Sequence, residues 1–229
     1  MTKQRGGRPG VLVLDGDPPT ARELAELPSN AFIVAADGGA NTLVHAGVWP
    51  DVVVGDMEGI EPDVLATLAD RGVAIEQHPE HKDDIDGILA FDRLLAAQPA
   101  SILVLGALGG RTAMALANLE ILRRCLDSDV PARIGAATET IHLLGPGGRL
   151  EIGGGAGRVF NVLPDTAEAT LSVTGSAYDV DALTMMRGSS RGVSNEVVGE
   201  VATIMVQRGR VLVVVERTGG PPRALDTNA

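Results

Sequence analysis

The stretch DVVVGDMEGIEPDVLATLADRGVAIEQH, residues 51–78, contains one complete unit of a recognisable architecture. Val52, Val53 and Val54 form a continuous apolar run, which suits a strand covered on both faces. PDVLATLADRG follows as a helical pattern, opened by Pro62 and closed by Gly72. VAIEQH then reads as a second strand. A strand, a helix and a strand at this spacing imply a parallel βαβ unit. Between the first strand and the helix the chain passes Gly55 and Gly59 and offers two acids one residue apart, Asp56 and Glu58.

The same grammar extends in both directions. VLVLDG, AFIVAADGG and SILVLGALGG read as strands. TARELAEL, DDIDGILAFDRLLAA and TAMALANLEILRRCL read as helices, and VPARIGAA as a last strand. The expected fold of residues 1–138 is α/β, a Rossmann-like doubly wound parallel sheet. From Glu139 the pattern changes to short segments bounded by Gly or Pro: TIHLLGP, RLEIGG, RVFNVLP and ATLSVTG. GEVATIMVQRGRVLVVVER reads as two strands joined at Gln207–Arg210. Residues 139–229 are therefore expected to form an all-β domain, a small β-sandwich. The glycine-rich stretch at residues 145–157 belongs to its turns.

Bulk composition narrows the function classes. A hydrophobic content of 45% in 229 residues supports a real core, and aromatics at 2% leave Val, Leu, Ile and Ala to fill it. A net charge of -11 repels nucleic-acid phosphates and anionic membranes, so neither is an expected partner. A phosphorylated ligand would need local cations or a metal. The single cysteine, Cys125, excludes an intrachain disulfide and suits a reducing cytoplasm. MTKQRGGRPG lacks the apolar region of a signal peptide, and TGGPPRALDTNA reads as a loose tail.

Open parallel sheets bind ligands at the C-terminal ends of their strands. Four polar motifs fall there. In ADGGAN, Asp37 ends a strand before Gly38 and Gly39. In GDMEG, an extended backbone would aim Asp56 and Glu58 the same way, onto one cation. In HKDDIDG, Asp83, Asp84 and Asp86 lie at a helix start. Acids favour helix N-termini in any case, so capping and ligand binding both stay open there. In GALGGR, a strand runs through Gly106, Gly109 and Gly110 into a helix with Arg111 at its start. That is either a plain strand-to-helix turn or a phosphate cradle, since a cation opposed by the helix dipole wants an anion nearby. Carboxylates beside a phosphate cradle describe a magnesium–nucleotide site.

The order ADGGAN, PDVVVGDMEG, KDDID, GALGGR with Asn118, and SRGVSNE resembles the thiamine pyrophosphokinase family, over about Ala35 to Val215. The resemblance implies transfer of a pyrophosphoryl group from ATP to the hydroxyl of thiamine. It implies Mg2+, with ATP as co-substrate, and a homodimer. Carried over, Asp37, Asp56 and Asp86 hold or orient the metal–nucleotide, and Glu58 stands where the family has a second Asp. Gly38, Gly39, Asn41, Lys82, Asp83, Gly109, Gly110, Arg111 and Asn118 match positions near the nucleotide. Asp56, Asp86 and Arg111 are the candidate catalytic residues, with Asp86 orienting the acceptor hydroxyl and Arg111 offsetting charge during transfer. Ser194 and Asn195 match the substrate pocket, and Tyr178 stands nearest to an aromatic that stacks on thiamine.

The motifs also depart from the family. Gly59 replaces a serine, Ile85 a threonine, and Ala113 and Met114 an Asp-His pair. These changes keep two alternatives open: a related pyrophosphokinase with another acceptor, such as a pterin alcohol, or a catalytically inactive nucleotide- or thiamine-binding dimer.

Overall fold

The computed structural model describes residues 6–81 and 83–217. The N-terminal pentapeptide, Lys82 and the TGGPPRALDTNA tail lie outside the described residues. The chain divides into two compact units, Met1–Ala136 and Ala137–Ala229.

The first unit alternates strand and helix: β1 (Gly10–Val13), α1 (Ala21–Ala25), β2 (Phe32–Ala36), α2 (Gly39–His45), β3 (Val52–Gly55), α3 (Pro62–Asp70), β4 (Ala74–Gln77), α4 (Asp86–Ala96), β5 (Ile102–Leu105), α5 (Thr112–Asp127) and β6 (Ala132–Gly135). The strands run in the order β6-β5-β1-β2-β3-β4, and every pairing among them is parallel. The order reverses between β1 and β5. The connection that makes this reversal is α4, which crosses the sheet against β1, β2 and β3.

Residue choice explains the layering. β1 and β3 are buried at every position, as strands covered on both faces must be. Val11, Val13, Ala35 and Val53 pack on one face with Ala40 and Leu43 of α2 and Val64 and Leu68 of α3. Local signals fix the helix starts. Thr20 and Glu23 form a reciprocal capping box at α1, and Pro62 occupies the first turn of α3.

The second unit is antiparallel throughout. β7 (Glu139–Leu144), β9 (Val159–Pro164), β12 (Asn195–Glu196) and β14 (Val211–Glu216) pair in the order β12-β9-β14-β7. β8 (Arg149–Gly153), β10 (Glu168–Thr174), β11 (Val180–Met186) and β13 (Val201–Arg208) pair in the order β11-β10-β13-β8. Burial alternates along β9, β10 and β14, and the inward residues of both sheets join one apolar cluster that includes Phe160, Val162, Leu171, Ile204 and Val213.

Three differences from the sequence expectations stand out. α2 forms where the GGAN pattern reads as a turn, and β11 and the short β12 form where the sequence carries no strand pattern. β13 and β14, adjacent in the chain, do not pair with each other: the turn at Gly209 carries the chain from one sheet to the other. No helix among the described residues is long and apolar enough to cross a membrane.

Candidate active site

The carboxyl ends of β1, β2, β3 and β5 surround one cleft of about 500 Å3. Asp37 follows β2 directly. Its N–H donates to the Val54 carbonyl (2.9 Å), which ties it to β3, and its backbone adopts a left-handed conformation (φ 42°). The Asp37 carboxylate accepts the Gly59 N–H at 3.0 Å. Burial pushes the Asp37 carboxyl up, and the negative charge of Asp56 adds to this; the Gly59 N–H pulls it down, and Asp86 raises it further. Three carboxylates thus feel one another in a partly desolvated place, and a cation would relieve the repulsion.

Asp86 is the first residue of α4, the helix that crosses β1, β2 and β3. The N-cap is Ile85, whose side chain cannot accept a hydrogen bond, so no aspartate caps this helix from that position. Gly55 explains how Asp86 and Asp37 come together. A methyl group on Gly55 would lie 3.0 Å from Asp37 Cβ and 3.2 Å from Asp86 Oδ1.

The opposite wall is the β5–α5 turn. Asn118, buried on α5, donates from Nδ2 to the Ala107 carbonyl (2.9 Å) and so anchors the turn to its helix. Arg111 occupies the N-cap of α5, is exposed, and makes no ion pair among the described residues. Its guanidinium and the first N–H groups of α5 offer positive charge beside a group of acids.

The structure therefore brings Asp37, Asp56, Asp83, Asp86, Gly109, Gly110, Arg111 and Asn118 to one cleft. Other candidates lie differently. Glu58 is exposed and does not line the cleft. The strand ends at Gly55 and Met57 is left-handed (φ 70°), so the alternation expected of an extended segment does not operate between Asp56 and Glu58. The Glu58 N–H instead donates to Asp56 Oδ1 (3.2 Å). Asn41 holds the same loop, donating to the Gly59 carbonyl (2.8 Å) and accepting the Glu61 N–H (3.0 Å). Gly38 and Gly39 support the site without lining it: a methyl on Gly38 would lie 2.6 Å from the Asp15 carboxylate. Asp15 itself lines the cleft, and burial raises its carboxyl. Its one sequence signal is the Asp-Gly at the end of the first strand, which the motif pattern above does not include. Among the described residues, no three His, Cys, Asp or Glu side chains meet closely enough to hold a metal ion unaided.

The second unit has its own cleft, of about 440 Å3. Asn195 is buried and organises its wall. Its Nδ2 donates to Ser176 Oγ (3.1 Å) and the Tyr178 carbonyl (3.2 Å), and its Oδ1 accepts the Tyr178 N–H (3.1 Å). This fixes Tyr178, which lines the cleft with 69% of its surface exposed. Ser194 does not line the cleft; it is left-handed (φ 61°) and donates its N–H to Asn161 Oδ1 (2.9 Å).

Two family profiles match the chain. The profile described as thiamin pyrophosphokinase, catalytic domain, matches residues 24–134, and that described as thiamin pyrophosphokinase, vitamin B1 binding domain, matches residues 151–211. The chain belongs to the thiamine pyrophosphokinase family. A thiamine pyrophosphokinase of Bacillus subtilis is 25% identical over 186 residues, covering 81% of this chain and 86% of that protein. Thiamine pyrophosphokinase 2 of Arabidopsis thaliana is 28% identical over 216 residues, covering 82% and 79%. The crystal structure of the Bacillus subtilis thiamine pyrophosphokinase superposes with a TM-score of 0.82 at 23% identity, over 91% of this chain and 99% of that one. The catalytic-domain match spans Asp37 to Asn118, and the vitamin B1 binding match spans Tyr178 and Asn195.

Proposed function

We infer that the chain is an ATP-dependent thiamine diphosphotransferase, moving the pyrophosphoryl group of ATP to the thiamine hydroxyl and releasing AMP. The observation that carries this is the meeting of Asp37, Asp56, Asp86 and Arg111 in one cleft inside the region matched by the catalytic-domain profile. In this proposal residues 1–138 form a Rossmann-like, doubly wound nucleotide domain, and residues 139–229 a β-sandwich that binds thiamine. A homodimer in the cytoplasm completes the proposal.

The donor set of the first cleft fits magnesium. Its ligands are carboxylate oxygens, which suit a hard cation that also takes phosphate and water. Asp37, Asp56 and Asp86 would hold it only together with phosphate oxygens and water, since they do not meet closely enough to hold it alone. When bound, the ion neutralises phosphate charge and makes the β-phosphorus a better electrophile. The chain's own residues do the rest. Arg111 and the α5 N-terminus balance charge that moves onto the leaving AMP. Asp86 orients the acceptor hydroxyl toward the β-phosphorus. Gly109 and Gly110 let the backbone approach the phosphates closely. The chemistry is positioning and electrostatics, with no covalent intermediate on the protein.

A pterin alcohol as acceptor is not favoured, because residues 151–211 match a vitamin B1 binding profile. A silent dimer is not favoured either, because the three carboxylates and Arg111 are retained and converge. The test is AMP release coupled to a spectrophotometric readout with thiamine, ATP and magnesium. Thiamine-dependent AMP with matching thiamine diphosphate by mass spectrometry is expected. No thiamine-dependent AMP at high enzyme concentration would overturn the proposal.

A further inference from the structure

The cleft of the second unit sets an exposed aromatic ring beside a carboxylate held by hydrogen bonds. Tyr178 presents an exposed ring on its wall, and an aromatic face attracts positive charge. Val162, Leu171 and Met185 close its floor as buried members of the apolar core. Among the described residues that line it, Asp179 is the one acid and Arg191 the one base. Asp179 is pinned by three hydrogen bonds. Its Oδ1 accepts the Ser176 N–H (2.8 Å) and Oγ–H (2.9 Å), and its Oδ2 accepts the Gly175 N–H (3.2 Å). These bonds hold its carboxyl below the usual range, with the Ser176 N–H first among the causes. No cation pairs with it among the described residues, and Oδ2 retains accepting capacity. The Arg191 guanidinium has no hydrogen bond or ion pair fixing it among the described residues, so the charge held in place on this wall is negative.

We propose that Asp179 is a specificity-determining residue, the fixed counter-charge that recognises the thiazolium ring of thiamine beside Tyr178. The proposal rests on the inferred thiamine activity. It adds a reason for preferring a cationic acceptor over a neutral one of the same shape.

Steady-state kinetics of the full chain, with thiamine and with its uncharged thiophene isostere as acceptors, test it. The wild-type protein should favour thiamine. Asp179→Asn should raise KM for thiamine about fivefold, the scale of one partly solvated charge pair. KM for the isostere, KM for ATP and kcat should stay unchanged. Asp179→Glu should keep the preference for thiamine. A fall that is equal for both acceptors in Asp179→Asn would overturn the proposal, since it would report only a displaced Tyr178. Equal KM values for the two acceptors in the wild-type protein would overturn it as well. No turnover of thiamine by the wild-type protein would overturn the functional reading itself, and this proposal with it.

Discussion

By its resemblance to the thiamine pyrophosphokinase motif, Gly59 stands where a serine is usual, and its contacts show what a side chain there would meet. The Asp37 carboxylate lies against the Gly59 backbone and accepts its N–H. A Cβ at position 59 would overlap Asp37 Oδ2 and come within 3.2 Å of the Gly38 backbone nitrogen, so the carboxylate must turn away and the backbone give slightly, at a modest cost in stability. It would cost geometry, because Asp37 is the residue displaced. Restoring the family residue with Gly59→Ser is therefore expected to reduce activity. The melting temperature should stay within about 2 °C of wild type, while kcat/KM for magnesium–ATP falls roughly tenfold. Thermal melting and the AMP-release assay on the same preparation check it. A serine variant as active as wild type would show that Asp37 does not need its present position.

At the scale of elements, α5 carries a cation at its N-cap, against its own dipole. Arg111 at the N-cap is unfavourable for the helix and makes no ion pair among the described residues. Its removal should relieve the helix by about 0.3–1 kcal/mol, yet remove a charge that stabilises transfer. Arg111→Ala is expected to melt at or slightly above the wild-type temperature and to lose about 100-fold or more in kcat. Loss of both stability and activity would instead mark Arg111 as a structural residue. The same scale shows what was legible in the sequence. The parallel strands could be read because Val52–Val54 and Ile102–Leu105 are uninterrupted apolar runs at helix-separated spacing. Asp37, Asp86 and Arg111 could be placed near the cleft because each follows or opens such an element. α2 was not legible, since it opens at Gly39, immediately after Gly38, and spans seven residues. β11 carries Asp181, Ala182 and Thr184 on a strand paired along one side, so it shows no clear alternation. The separation of β13 from β14 was hidden because a short glycine turn reads the same whether the strands pair or change sheets. The expectation that Glu58 faces the same cation as Asp56 does not hold, because a left-handed Met57, which leaves no pattern in sequence, turns Glu58 out of the cleft.

The whole molecule carries a net charge of -11, and the first cleft concentrates that sign. Seven acids line it, Asp15, Asp37, Asp56, Glu80, Asp83, Asp84 and Asp86, against Arg111 as the one base among its described lining residues. ATP is itself a polyanion, so free nucleotide should bind poorly and its magnesium complex well. The proton on Asp37 gives this a pH dependence with a definite sign. Its folded pKa lies above the unfolded value of 3.8, so the native state binds more protons between the two. The contribution of this carboxyl to stability therefore falls as pH rises through that window and remains lost above it. Magnesium replaces the proton, so its stabilising effect should be small at the acid end and full above the window. Differential scanning fluorimetry separates the effects. ATP without a divalent ion should leave the melting temperature unchanged near pH 7.5. Magnesium–ATP at about 100 times its Kd should raise it by roughly 5–10 °C. That rise should shrink as pH falls through the window above 3.8, and Asp37→Asn should abolish most of it near pH 7.5. An equal rise with ATP alone, or a rise independent of pH in the wild-type protein, would mean that the carboxylates of this cleft do not hold the metal–nucleotide.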